Sequence, residues 1–161
     1  MALREHIDRW IIASLSKHFI ANKQTLQLLI ESQTVVPNLG ADFCELRFNG
    51  PQYNRFTKKQ HRFDIIVNVL VNVIQQGSDA HKIYRHCGIM EKACTPCIPV
   101  YKLGNGPDDQ PSVLFGTLQQ LRNGDTLVET THFGVVSVET KVIQSTVETY
   151  YRLTYNGDLT V

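Results

Sequence analysis

The chain has 161 residues, enough for one domain with a real hydrophobic core, and residues 1–161 are expected to form a single domain. Apolar residues make up 42% and charged residues 19%, a balance that excludes general disorder. A formal net charge of +1 excludes the global basic field of a dedicated nucleic-acid binder, so any such role needs a local patch.

At the N-terminus, Arg4, Glu5, Asp8 and Arg9 stand where a secretory signal would carry its apolar stretch, so no signal peptide is expected. No run approaches the roughly 18–20 apolar residues that span a bilayer, and no membrane partner is expected. Residues 3–19 predict a helix, with Leu3, Ile7, Trp10, Ile11, Leu15, His18 and Phe19 at helical spacing and Trp10 as a core anchor. Residues 24–30 fit either a strand or a short helix. Pro37 and Gly40 make 35–42 a connection. FCELRF at 43–48 reads as a strand, and NGPQYN at 49–54 carries the turn chemistry that would end it.

A long strand follows at about 61–75. One of its rows is wholly apolar: Phe63, Ile65, Val67, Val69, Val71 and Val73. The other alternates polar and apolar: Asp64, Ile66, Asn68, Leu70, Asn72 and Ile74. Fifteen residues at about 3.3 Å each span roughly 50 Å, against a usual 17–20 Å. A domain of this size is only about 30–40 Å across. The apolar row is expected to pack on helices. Ile66, Leu70 and Ile74 make the mixed row too apolar to leave bare, so it is assigned as an assembly interface covered by another copy or a partner.

Ser78 or Asp79 is expected to cap a second helix over 80–94, with Ala80, Ile83, Tyr84, Cys87, Met90 and Ala93 on one face and Pro96 and Pro99 stopping it. IPVYKL at 98–103 reads as a strand, 104–111 as a loop and 112–121 as a strand. Asn123-Gly124 is a hairpin signal leading into a strand at 126–136. The closing strand spans 141–155, and Asn156-Gly157 suggests that 158–161 fold back as a short strand. Helix, strands, helix, strands without regular alternation describes an α+β fold, a mainly antiparallel twisted sheet with two helices packed on one face.

Chemistry is sparse. Among Cys44, Cys87, Cys94 and Cys97, the CTPC spacing at 94–97 fits half a zinc site, a redox pair or buried free thiols, and free thiols are the favoured reading. His86-Cys87 would be a poor second ligand pair, and a redox pair would open a helix instead of closing one. The six histidines are scattered and no nucleophile elbow, phosphate loop or zinc-protease motif occurs, so we expect no enzyme, no metal and no cofactor. One cluster rises above background. In YNRFTKKQHRF, residues 53–63, Arg55, Lys58, Lys59 and Arg62 lie among Tyr53, Phe56 and Phe63, which suits phosphate contact and base stacking. The plainer alternative is a solvated loop whose lysines shield the start of the strand from edge pairing.

The arrangement of REHIDRWIIASLSKHF, ELRFNGP, a polar loop, RFDIIVNVLVNV, DAHKIYRHCGIM, IPVYKL and THFGVV…STVETYYRLTY resembles the tail terminator and related neck or tail-completion proteins of long-tailed bacteriophages. The resemblance covers most of the chain and is one of pattern. The span 98–140 and the Cys-x-x-Cys depart from a minimal terminator. The resemblance implies a structural virion protein, assembled in the host cytoplasm. It implies a homo-oligomeric ring, commonly a hexamer, that stops growth of the tail tube and docks the head connector or stopper protein. Genomic DNA would pass through its channel, and Arg55, Lys58, Lys59 and Arg62 would face the lumen, a partner or that DNA. The alternative is a nucleic-acid-binding module built on residues 53–63, or another neck adaptor or stopper.

Overall fold

A computed structural model describes residues 3–30, 42–74, 81–102, 113–137 and 141–159. The elements are α1 (Leu3–Asn22), β1 (Leu28–Ile30), β2 (Phe43–Arg55), β3 (Gln60–Ile74), α2 (Lys82–Ala93), β4 (Cys97–Lys102), β5 (Val113–Leu121), β6 (Val128–Ser137) and β7 (Val142–Asn156). The fold is α+β. Among the described residues, seven strands join in the order β1-β2-β3-β7-β5-β4, with β6 also on β7. Every pairing is antiparallel except the short parallel contact of β1 with β2.

The sheet is organised by β3 and β7, which pair over their full fifteen residues, from Gln60↔Asn156 to Ile74↔Val142. Two equally long β-branched strands in register satisfy each other's backbone groups along the whole length. The odd-numbered row of β3, from Phe63 to Val73, is at most 2% exposed. Opposite it, Ser145, Val147, Thr149, Tyr151 and Leu153 of β7 are buried too. Ile7, Trp10, Ile11, Leu15 and Phe19 of α1, and Ile83, Cys87, Met90 and Ala93 of α2, join the same cluster. Both helices therefore bury one stripe at 3.6-residue spacing. Trp10 sits in this core as expected. α2 packs on β3 and β7, and α1 on β4, β2 and α2. Ser14 Oγ accepts from Tyr101 N at 3.1 Å, and His18 Nε2 donates to Ala93 O at 2.7 Å, pinning α1 to β4 and to the end of α2.

Several expectations from local sequence change. β2 does not stop at Asn49. It continues through a cis Gly50-Pro51 bond to Arg55, with a register shift between Asn49 and Gln52. Among the described residues β1 meets β2 only at Cys44–Leu46 and no second ladder reaches Pro51, the setting in which a strand proline is tolerated. The ambiguous segment 24–30 resolves into a turn and the three residues of β1. α2 starts at Lys82 with His81 at its N-cap and no side-chain cap bond, whereas the sequence favours Ser78 or Asp79 for the cap. Both of those residues lie outside the described chain, as do Ala80 and residues 35–41. Tyr84 is exposed instead of joining the buried stripe. Asn123-Gly124 does not make a β5–β6 hairpin. Leu121 faces Tyr150 and Val128 faces Thr149, so β5 and β6 run on as successive partners of the same strand. Residues 122–127 loop out between them, closed by an Asn123↔Thr126 bridge. Residues 158–159 are not a strand. No helix among the described residues is long and apolar enough to cross a membrane.

Candidate functional surface

The even-numbered row of β3 has a period that composition alone does not show. Asp64, Asn68 and Asn72 each pair with a polar residue of β7. Arg152 holds Asp64 through Nε at 2.8 Å and Nη2 at 3.2 Å. Asn68 Nδ2 donates to Glu148 Oε2 at 3.2 Å, and Gln144 Nε2 donates to Asn72 Oδ1 at 3.0 Å. Ile66, Leu70 and Ile74 fill the gaps, opposite Tyr150, Thr146 and Val142. The row is thus banded, with cross-strand polar ties alternating with apolar patches.

A shallow hollow of about 360 Å³ lies on this row, walled by Ile66 and Leu70 and bounded by Arg47, Asn49, Thr146, Glu148 and Tyr150. Leu70 is only 9% exposed, so it forms the hollow's floor more than its rim. The register sets Glu129 of β6 directly opposite Glu148. Like charges at opposed positions disfavour each other. Glu148 Oε1 accepts from the Tyr150 hydroxyl at 3.0 Å. That bond pushes the Tyr150 hydroxyl above its ordinary pKa, and the charges of Glu148 and Glu129 add to the shift. Asn68 Oδ1 is buried with no hydrogen-bond partner. One end of the hollow is therefore electronegative. Nothing in local sequence marks Glu129, Glu148 or Tyr150, because only strand register brings them together.

The basic cluster sits at the tip of the β2–β3 hairpin. It is a tight turn held by its own bonds. Phe56 N and Thr57 N donate to Gln60 O at 3.0 and 3.3 Å, and Gln60 N donates to Thr57 Oγ1 at 3.0 Å. Arg55, Lys58 and Lys59 are exposed. Arg62 is not part of that free set. It lies half-buried within β3, with its guanidinium 3.5 Å from the Phe56 ring centroid. Of the three aromatics expected to stack on bases, Phe63 is fully buried and Tyr53 half-buried, and Phe56 alone stands out at 56% exposure. Tyr53 and Phe63 instead anchor the hairpin base. His61, itself buried, donates from Nε2 to Gly157 O at 3.0 Å, leaving Nδ1 to accept from the Tyr53 hydroxyl at 2.7 Å. Its ring stacks with those of Tyr53 and Tyr155, and Arg4 lies over Tyr53.

The remaining chemistry is dispersed. Among the described residues, no three His, Cys, Asp or Glu side chains gather as a metal site. His132 Nδ1 lies 2.6 Å from Ser145 Oγ, but Ser145 is fully buried, so this hydroxyl is out of a substrate's reach. Cys94 is buried at the C-cap of α2, with Sγ donating to Met90 O at 3.3 Å, while Cys97 is exposed at the start of β4. Burial pushes the Cys44 and Cys94 thiols up to about 12 and raises Cys87 as well. Thiolates are the reactive form. A thiol reagent at neutral pH should therefore label one cysteine per native chain, Cys97, and all four once the chain is denatured. Mass spectrometry of the labelled protein reads this directly, and rapid native labelling of Cys94 would contradict the buried placement.

Compared with known proteins, the chain matches no protein-family model, and no curated protein matches it.

Proposed function

We propose that this protein is a structural assembly subunit, of the kind that builds the ring at the head-proximal end of a phage tail. In this reading the two helices cover the odd-row face of a twisted sheet, and the even row is left for a neighbour. The observation that carries it is the banded row on β3. Ile66 and Ile74 stay half-exposed beside tied polar pairs, a mixture suited to an interface between subunits and ill-suited to a core or to plain solvent. The ring, its tail-tube and connector partners, and its place in the virion rest on the resemblance in sequence pattern. Particles made without the protein should carry tails of uncontrolled length that fail to join heads, as seen by electron microscopy. Normal tails in its absence would remove the terminator role.

The exposed cations at the hairpin tip favour a second reading, a nucleic-acid contact. Three exposed side chains, Arg55, Lys58 and Lys59, stand where they could meet phosphates, with Arg55 Nε also donating to Thr57 O at 3.3 Å. Three phosphate contacts give a log–log salt slope of about −2.7 per subunit on duplex DNA. In a channel, affinity should be weak and indifferent to sequence. Fluorescence anisotropy with random-sequence duplex at two salt concentrations measures both. Tight, sequence-selective binding would replace the ring reading with a nucleic-acid module.

A further inference from the structure

The hairpin tip and the hollow on the β3 even row are complementary in chemistry. The tip presents Arg55, Lys58 and Lys59 around one exposed aromatic ring, Phe56. The hollow presents Ile66 and Leu70, with Glu148 at one end, Glu129 of β6 beside it as the strand partner of Glu148, and Arg47, paired with Glu45, on the β2 side. Each feature is costly alone. An exposed phenylalanine leaves apolar surface in water, and two opposed carboxylates repel. Seating the ring against Ile66 while a lysine approaches the carboxylate pair relieves both at once.

A chain cannot satisfy itself this way. Tip and hollow lie on the same hairpin, and Gln60 and Ile66 are six strand residues apart, about 20 Å at the usual rise. β3 is hydrogen-bonded on both sides between them, to β2 and to β7, so it cannot fold back.

We propose that the β2–β3 hairpin tip of one copy docks in the even-row hollow of a second copy of this chain, with Phe56 against Ile66 and the tip lysines on Glu129 and Glu148. The inference rests on the assembly reading above and names its partner and contact. It uses two different patches on each copy. Such a head-to-tail contact propagates, closing into a ring when the rotation allows.

Two variants test it. The tip variant carries Arg55→Glu, Lys58→Glu and Lys59→Glu, and the hollow variant carries Glu129→Lys and Glu148→Lys. A milder Glu129→Gln/Glu148→Gln pair serves if the second variant folds poorly, and circular dichroism and melting check each fold. By sedimentation velocity at low salt, wild type should self-associate. Each variant alone should weaken that association by about tenfold or more. Mixed together, the tip variant still offers a hollow and the hollow variant still offers a tip, so the mixture should stop at one-to-one dimers. A symmetric contact through one patch would not be rescued by mixing. If wild type assembles and the tip variant assembles equally well, this contact is wrong and the assembly reading stands. If wild type stays monomeric alone and with tail tubes, both fall. If the tip variant loses affinity for random-sequence duplex DNA while assembling normally, the tip belongs to nucleic acid and the proposed contact is overturned.

Discussion

Val69→Asp should leave no folded protein to study, while Ile66→Asp should leave a folded protein that no longer associates. Val69 is fully buried in the odd row, within the main hydrophobic core. A carboxylate there loses its water and gains no partner, at a cost above about 4 kcal/mol. That is comparable with the whole stability of many domains, about 5–15 kcal/mol. Ile66 is three residues away on the opposite row, half-exposed and facing Tyr150 and Asn49. An aspartate there keeps access to water, so the folding cost should be about 1 kcal/mol. It would also place a third carboxylate near Glu148 and remove the apolar wall a neighbour's aromatic ring would meet. Leu70→Asp is a poorer probe than the alternation of the strand suggests. At 9% exposure Leu70 is already covered within its own chain, and its substitution would confound folding with association. Urea unfolding followed by circular dichroism, beside sedimentation velocity, separates the two effects. If Ile66→Asp destabilises as much as Val69→Asp, both rows are core and the assembly reading loses its surface.

The contrast between those two positions is partly legible in the amino-acid pattern. A period of two over fifteen residues identifies β3 and says which row is apolar. The same reasoning places β7 and the buried stripe of α1, because each is long and strongly periodic. What the pattern does not show is where local chemistry and long-range pairing disagree. Gly50-Pro51 and Asn123-Gly124 are both strong turn signals. At the first, β-pairing overrides the local preference through a bulge; at the second the tight turn forms between Asn123 and Thr126, but the strands on either side pair with β7 and not with each other. The candidate surface divides in the same way. The charges of Arg55, Lys58 and Lys59 are contiguous in sequence, so the tip is legible. The acidic end of the hollow is not, because Asn68 and Glu148 are eighty positions apart and meet only through the register of β3 on β7. The separation of Arg62 and Phe63 from the tip likewise follows from where the turn closes, at Gln60.

Gly50, the first of these turn signals, sets the direction in which the hairpin tip leaves the sheet. Between Asn49↔Ile66 and Gln52↔Asp64, β2 spends three steps while β3 spends two, so one extra residue is absorbed there. Gly50 takes a φ of +110° to do so. A β-carbon at that position would stand 2.8 Å from Asp64 O and 2.9 Å from Gln52 N, both backbone atoms that cannot rotate away. Gly50→Ala therefore combines a disfavoured backbone conformation with a steric clash, and should cost roughly 3 kcal/mol. Gly124 provides the control. Its φ is +64°, also in the left-handed region, but a β-carbon there meets nothing within 4 Å. Gly124→Ala carries only the conformational term, about 1 kcal/mol. The two variants should differ in location as well as size. Amide hydrogen exchange in Gly50→Ala should rise over residues 52–64, where the hairpin passes from the bulge to its tip and back, while the β3–β7 pairing beyond Ile66 stays protected. Association should weaken in the same variant even though none of its charges has changed, because a tip that is no longer held at one angle has lost its preorganisation. If Gly50→Ala melts within experimental error of Gly124→Ala and associates as wild type does, the bulge relaxes freely and the direction of the hairpin is not what assembly depends on.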